Sequence, residues 1–187
     1  YSNNRNDRWG GSIEKRMAFP LAVLKKVKEA AGKAGRDFIV GYRISPEEVH
    51  GENVGYTVED ALLLISEIIA NGADYIHLST ANYKAMPQKG GLGEPIAKTV
   101  YDSIGGKVPT LLAGSILTPD DALDALQYTD IAALARAVII DPEFVAKLRD
   151  GREAEIKLSV EGRLDKLALS KTLVGFWQME NTPLPPL

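Results

Sequence analysis

Four times along this chain a short β-rich run gives way to a loop and then to a helical segment, and that rhythm restricts the fold more than any other feature. The first run is Phe38-Ile39-Val40-Gly41-Tyr42-Arg43-Ile44-Ser45. After a loop comes the segment 57–71, where Leu62, Ile65 and Ile69 recur at helical spacing. Residues 74–80 read as the second strand and 94–103 as its helix, with Pro95 in the first turn. Residues 110–114 form the third run, and Thr118-Pro119-Asp120-Asp121 starts the next helix with a capping hydroxyl, a first-turn proline and two acids favoured by the helix dipole. Residues 131–134 are the fourth run, and Asp141-Pro142-Glu143 opens a helix leading to Gly151. Strand and helix in alternation predict an α/β fold with a parallel sheet and right-handed crossovers, either open and doubly wound or part of a closed barrel.

Residues 12–31 read as a further helix with no strand before it. Ile13, Met17, Leu21, Leu24 and Val27 supply its apolar stripe, and Pro20 is expected to kink it or to mark a second start. The whole chain, 1–187, is expected to be one domain, since 187 residues with 45% apolar content suit a single core. Residues 152–187 are expected to form a C-terminal arm: an ordered or contact segment around Gly175-Phe176-Trp177-Gln178-Met179, then an extended proline-rich end from Pro183 to Leu187. Four strands cannot close an eight-stranded barrel, and the chain opens at Tyr1 in loop-like residues, so it reads as a portion of something longer.

Charge and composition narrow the partners. A net charge of -3 with lysines scattered among acids offers no basic field, so nucleic acid is not an expected partner. Cysteine is absent, which excludes thiolate nucleophiles and cysteine-held metals, and His50 and His77 share no ligand spacing, so no metal site is expected. No apolar run reaches the roughly 18 residues of a membrane span, and the opening residues lack the charged and apolar parts of a signal peptide. A cytoplasmic location is the default expectation.

The residues that carry chemistry stand at the ends of the strand runs. Arg136, in Ile131-Ala132-Ala133-Leu134-Ala135-Arg136-Ala137-Val138, is a fixed cation at the end of the fourth run, where a barrel holds phosphate groups. Gly114 and Ser115, after the third run, offer a glycine and a hydroxyl that let a backbone approach an anion. Each has a plainer reading: Arg43 and Arg136 as structural or surface cations, His77 as a packed strand residue, Gly90-Gly91-Leu92-Gly93 as a turn. Asn3, Asn4, Arg5 and Asp7 read as residues that pin their own loop. The role of Thr80-Ala81-Asn82-Tyr83-Lys84 stays open.

Taken together, Tyr1-Ser2-Asn3-Asn4-Arg5-Asn6-Asp7-Arg8-Trp9-Gly10-Gly11-Ser12, Glu14, Arg16, Phe19-Pro20, Tyr42-Arg43-Ile44-Ser45, Ala113-Gly114-Ser115-Ile116 and Ala135-Arg136-Ala137 with Asp141-Pro142 resemble the old yellow enzyme family of FMN-dependent NAD(P)H oxidoreductases. The match runs to about Gly151. In that family the opening segment follows the fourth strand of a TIM (β/α)8 barrel, so the resemblance implies the C-terminal half alone: about four βα units, strands 5–8.

The resemblance implies FMN as cofactor and NAD(P)H as reductant, with hydride passing through the flavin to an activated alkene or similar small-molecule acceptor. It places Arg43 at the flavin's pyrimidine edge, the Gly114 and Ser115 backbone at the FMN phosphate, and the Ala135-Arg136 pair beside the same phosphate. Ala135 stands where the family has glycine, and Ser115 where a second glycine is more usual. The family's substrate clamp and proton donor lie upstream of Tyr1, so no catalytic residue is assigned here, and the isolated portion is expected to be inactive. Its partner is expected to be the complementary N-terminal half of the barrel or a second copy, in a homo-oligomer. Two other readings remain: a stand-alone half-barrel that binds a phosphorylated ligand without redox activity, and an aldolase or isomerase on a phosphate-binding barrel. Lysine-dependent versions of the last are disfavoured, because no lysine stands inside a strand run.

Overall fold

The computed structural model describes residues 2–91, 93–177 and 179. Its centre is a four-stranded parallel sheet of β1 (Gly41–Ile44), β4 (Tyr75–Ser79), β5 (Thr110–Ala113) and β6 (Ile131–Ala132), in that spatial order. Each strand lies beside its predecessor, and the order never reverses. A doubly wound sheet reverses at its switch point, so this sheet has the progression of a barrel wall. Among the described residues β1 and β6 each pair with one neighbour, leaving two free edges.

Period-two alternation gives the sheet two unlike faces. Ile76, Leu78 and Leu112 are completely buried on the face covered by helices. There they meet α2 (Val58–Ala70) through Ile65 and Ile68, and α3 (Ile96–Ile104) through Val100 and Ile104, in one core. The register aligns Gly41 with Tyr75, Arg43 with His77, His77 with Leu111, Ser79 with Ala113 and Leu111 with Ile131 on the opposite face. That face, the barrel interior, stays partly open: Arg43 and Ile131 are exposed, and His77, Ser79 and Leu111 only half-buried.

Helix starts follow local chemistry. Thr57 and Asp60 form a capping box on α2. Thr118 accepts from the Asp121 N–H at 3.1 Å and donates its own N–H to Asp121 at 2.9 Å, ahead of α4 (Pro119–Ala125). The helix α1 (Ile13–Gly32) runs through Pro20 as one element, so the second start expected there is not observed. Losing one amide donor costs less than the packing of its stripe on α2 returns, with Leu24 buried at the centre.

Three elements differ from the sequence reading. The first run shrinks to Gly41–Ile44, because Phe38 and Ile39 sit exposed on an edge with no partner strand. The loop after it contains a hairpin, β2 (Glu48–His50) and β3 (Asn53–Tyr56), turning at Gly51 with φ +61°. The fourth strand ends at Ala132, and α5 (Arg136–Ile140) precedes α6 (Phe144–Arg149). Arg136 therefore opens a helix instead of closing a strand.

The arm begins with a 3-10 turn, Glu153–Glu155, and buries Ile156 and Val160. Later it forms α7 (Lys171–Trp177). The proline-rich end, Pro183 to Leu187, lies outside the described residues. No described helix is long and apolar enough to cross a membrane, and no three His, Asp or Glu side chains cluster to hold a metal among the described residues.

Candidate functional site

The C-terminal ends of β4, β5 and β6 enclose a cavity of about 300 Å³, lined by Ser79, Thr80 and Ala81, the Gly114-Ser115 turn, and Ala135 with Arg136. Four of the five sequence-predicted site residues meet there. Arg136 is the charged residue of the lining, and no carboxylate shares the space. Such a lining favours an anion.

The turn after β5 is shaped by close approach. A Cβ on Gly114 would lie 2.6 Å from Tyr83 N and 2.8 Å from Asn82 C, so only glycine lets the β4–α3 loop reach it. The Gly114 carbonyl accepts the Tyr83 N–H at 2.8 Å. Ser115 adopts φ +50°, left-handed and costly for a residue with a side chain, which gives a physical reason for glycine being more usual there. Its hydroxyl offsets part of that cost by donating to Ala81 O at 2.7 Å while accepting from Arg136 Nη2. Ser115 thus steadies the guanidinium above the turn. Ala135 has φ -125°, outside the left-handed region that favours glycine.

The far end of α5 is fixed by a buried ion pair. Lys147 Nζ lies 2.6 Å from Asp141 Oδ2, and their side chains are 8% and 2% exposed. Asp141 also accepts the Glu143 N–H at 3.1 Å and the Lys157 N–H at 2.9 Å, which ties the arm to α6. Burial pushes the Asp141 carboxyl up, but the ammonium and the two amides outweigh it and hold the group below its usual range.

Arg43 projects from β1 on the inner face and donates to Ser79 Oγ at 2.5 Å. It lines a separate cavity of about 350 Å³ with Tyr42, Ser45, Glu48 and Tyr56. Ser79 links the two spaces, since it also lines the Arg136 cavity. The sequence reading missed Ser79. Parallel register with Arg43 two residues along the same face is the signal that locates it, and that register exists only once the strands pair. His77 sits between, its Nε2 buried and without a hydrogen-bond partner; burial and the Arg43 charge both lower its basicity.

Two other sequence features have structural employment. The Gly91 N–H donates to Glu59 at 2.7 Å and the Lys89 N–H to Glu47 at 3.1 Å, so these loop amides already face carboxylates. Asn3 Nδ2 donates to Trp9 O at 2.8 Å, and Asp7 accepts from Arg5 Nε and the Trp9 N–H, pinning the opening loop to itself.

A strand progression of barrel type, with a cavity holding Arg136 at the C-terminal ends of its last strands, defines part of a barrel wall. Residues 1–155 match the family described as NADH:flavin oxidoreductase / NADH oxidase, and the chain belongs to that family. It is 36% identical over 166 residues to the probable NADH-dependent flavin oxidoreductase YqiG of Bacillus subtilis (strain 168), covering 86% of this chain and 44% of the relative. It is also 36% identical over 154 residues to the NADH:acrylate oxidoreductase of Vibrio harveyi, covering 79% and 15%. Among solved structures, morphinone reductase in complex with tetrahydroNAD superposes with a TM-score of 0.60 at 24% identity, covering 81% of this chain and 38% of that one. The chain spans less than half the length of these relatives, so the fold it shares with them is a partial barrel. FMN with a nicotinamide reductant is the cofactor set of the family.

Proposed function

We propose that this chain is the FMN-holding part of an NAD(P)H-dependent flavin oxidoreductase of ene-reductase type, acting in the cytoplasm on an activated alkene or similar acceptor. The observation that carries the reading is the meeting of Arg136 and the Ser115 hydroxyl across a cavity with no carboxylate. When bound, FMN supplies hydride transfer between the nicotinamide and the acceptor. Arg136 would hold the phosphate with its planar fork, the left-handed turn at Ser115 and the side-chain-free Gly114 would bring backbone to the same group, and Ala135 closes the wall. Arg43, fixed by Ser79, would face the flavin's pyrimidine edge and stabilise negative charge there.

Redox titration of the flavin-loaded protein tests this reading. Wild type is expected to show a flavin spectrum, and Arg43→Met a more negative midpoint with most of its flavin retained. A colourless protein would sink the proposal, and an unchanged midpoint would leave Arg43 only its bond to Ser79.

On this reading residues 1–187 act as one domain, and the two free edges and the open inner face are covered by the complementary half of the barrel, with a homo-oligomer built from complete barrels. Light scattering on the flavin-loaded protein is expected to return a mass well above the 20.3 kDa of this chain. A stable flavin-bound species of 20.3 kDa would overturn that part of the reading.

A further inference from the structure

Tyr83, 5% exposed as a residue, lies in the loop between β4 and α3 and is held from two sides. Its hydroxyl donates to Asp124 Oδ2 at 2.9 Å and lies 3.3 Å from Asp121 Oδ1, both carboxylates being on α4. Lys84 Nζ is 2.5 Å from the same Asp124 oxygen and offsets its charge. Asp121 is committed as well, because it accepts the Leu117 and Thr118 amides at the start of α4. From its other side Tyr83 gives its backbone N–H to Gly114 O. The loop is therefore bolted by its backbone to the cavity turn and by its side chain to the helix that leaves that turn.

Between these two anchors and the end of β4 sits Ala81, whose carbonyl takes the Ser115 hydroxyl proton. A hydroxyl that donates to Ala81 O has its lone pairs left for Arg136. Moving Ala81 O would turn the hydroxyl away and release the guanidinium. We propose that Tyr83 is a positioning residue for the phosphate site: clamped by Asp121, Asp124 and Lys84, it holds Ala81 O where it directs Ser115 toward Arg136. The inference rests on the phosphate reading given above, and it assigns a role to a loop that touches the phosphate through none of its own charged groups. Burial and the two carboxylates push the Tyr83 phenol up to about 12, so it stays a hydrogen-bond donor at ordinary pH.

Flavin-stripped preparations of wild type, Tyr83→Phe, Asp124→Asn and Arg136→Ala, titrated with FMN and with riboflavin, test the inference. Riboflavin lacks the phosphate and serves as the control for general damage. Tyr83→Phe is expected to weaken FMN about tenfold, of the order set by one hydrogen bond to a charged group, while riboflavin affinity changes less than about twofold. Asp124→Asn, which leaves the ring in place, is expected to act in the same direction and secures the test if the phenylalanine variant folds poorly. Equal losses for both flavins, or no loss for either, would overturn the positioning role. Arg136→Ala separates the two readings. If it leaves the FMN-to-riboflavin ratio at the wild-type value, the phosphate site itself is misplaced. If it lowers the ratio while Tyr83→Phe and Asp124→Asn do not, only the positioning role is lost.

Discussion

Asp141→Ala is expected to cost about 3–5 kcal/mol of folding stability, the range for breaking one partner out of a buried ion pair. The Lys147 ammonium, 8% exposed, would keep as carboxylate partner only the exposed Glu143 at 3.8 Å, and the Glu143 and Lys157 amides would lose their shared acceptor. Denaturant midpoints on wild type and variant measure the effect, and coincident midpoints would show the pair to be energetically idle. The double replacement Asp141→Leu with Lys147→Met should recover much of the loss, because it removes both charges together. The pH dependence has a definite sign. The folded carboxyl lies below its ordinary value of 3.8, so its contribution is present above that value and disappears as pH falls through the lower, folded one.

The second large effect concerns flavin. Arg136→Ala should weaken FMN by about 1.5–3 kcal/mol, the range for a hydrogen bond to a charged group, or roughly tenfold to a hundredfold in Kd. Arg136→Lys keeps the charge but loses the planar fork and should fall between. Dialysis followed by fluorescence of the released flavin reads the loss. Retention equal to wild type in both variants would place the phosphate elsewhere.

These two effects are connected through a five-residue helix. Arg136 is its first residue and Asp141 its C-cap, so the ion pair anchors the opposite end of the helix that carries the guanidinium. The Asp141 substitution should therefore loosen FMN as a secondary consequence. Neither residue's partner lies close enough in local pattern to be foreseen: Lys147 belongs to the next helix, and Ser115 to a turn 21 positions upstream.

Local signals determined much of this protein. The strand runs around Arg43, His77, Leu112 and Ile131 and the capping box at Thr118 are short-range physics, legible as period and cap chemistry, whereas the approach of the Tyr83 loop to Gly114 is a tertiary contact. The motifs at Trp9 to Ser12, Arg43, Gly114 and Arg136 were enough to place the chain in its family. Tertiary structure decided the rest. Alternation alone could not choose between a doubly wound sheet and a barrel, because strand order is a property of pairing; the unreversed order β1-β4-β5-β6 together with the superposition on a barrel structure settles it. The helix at Arg136 was invisible because Ala137-Val138-Ile139-Ile140 is as apolar as a strand and too short to show a helical period. Ser79 joined the site through cross-strand register, and Tyr83 through two carboxylates about forty residues away on α4. Contacts of that separation carry no local period or cap, so they exist for the reader only after the chain has folded.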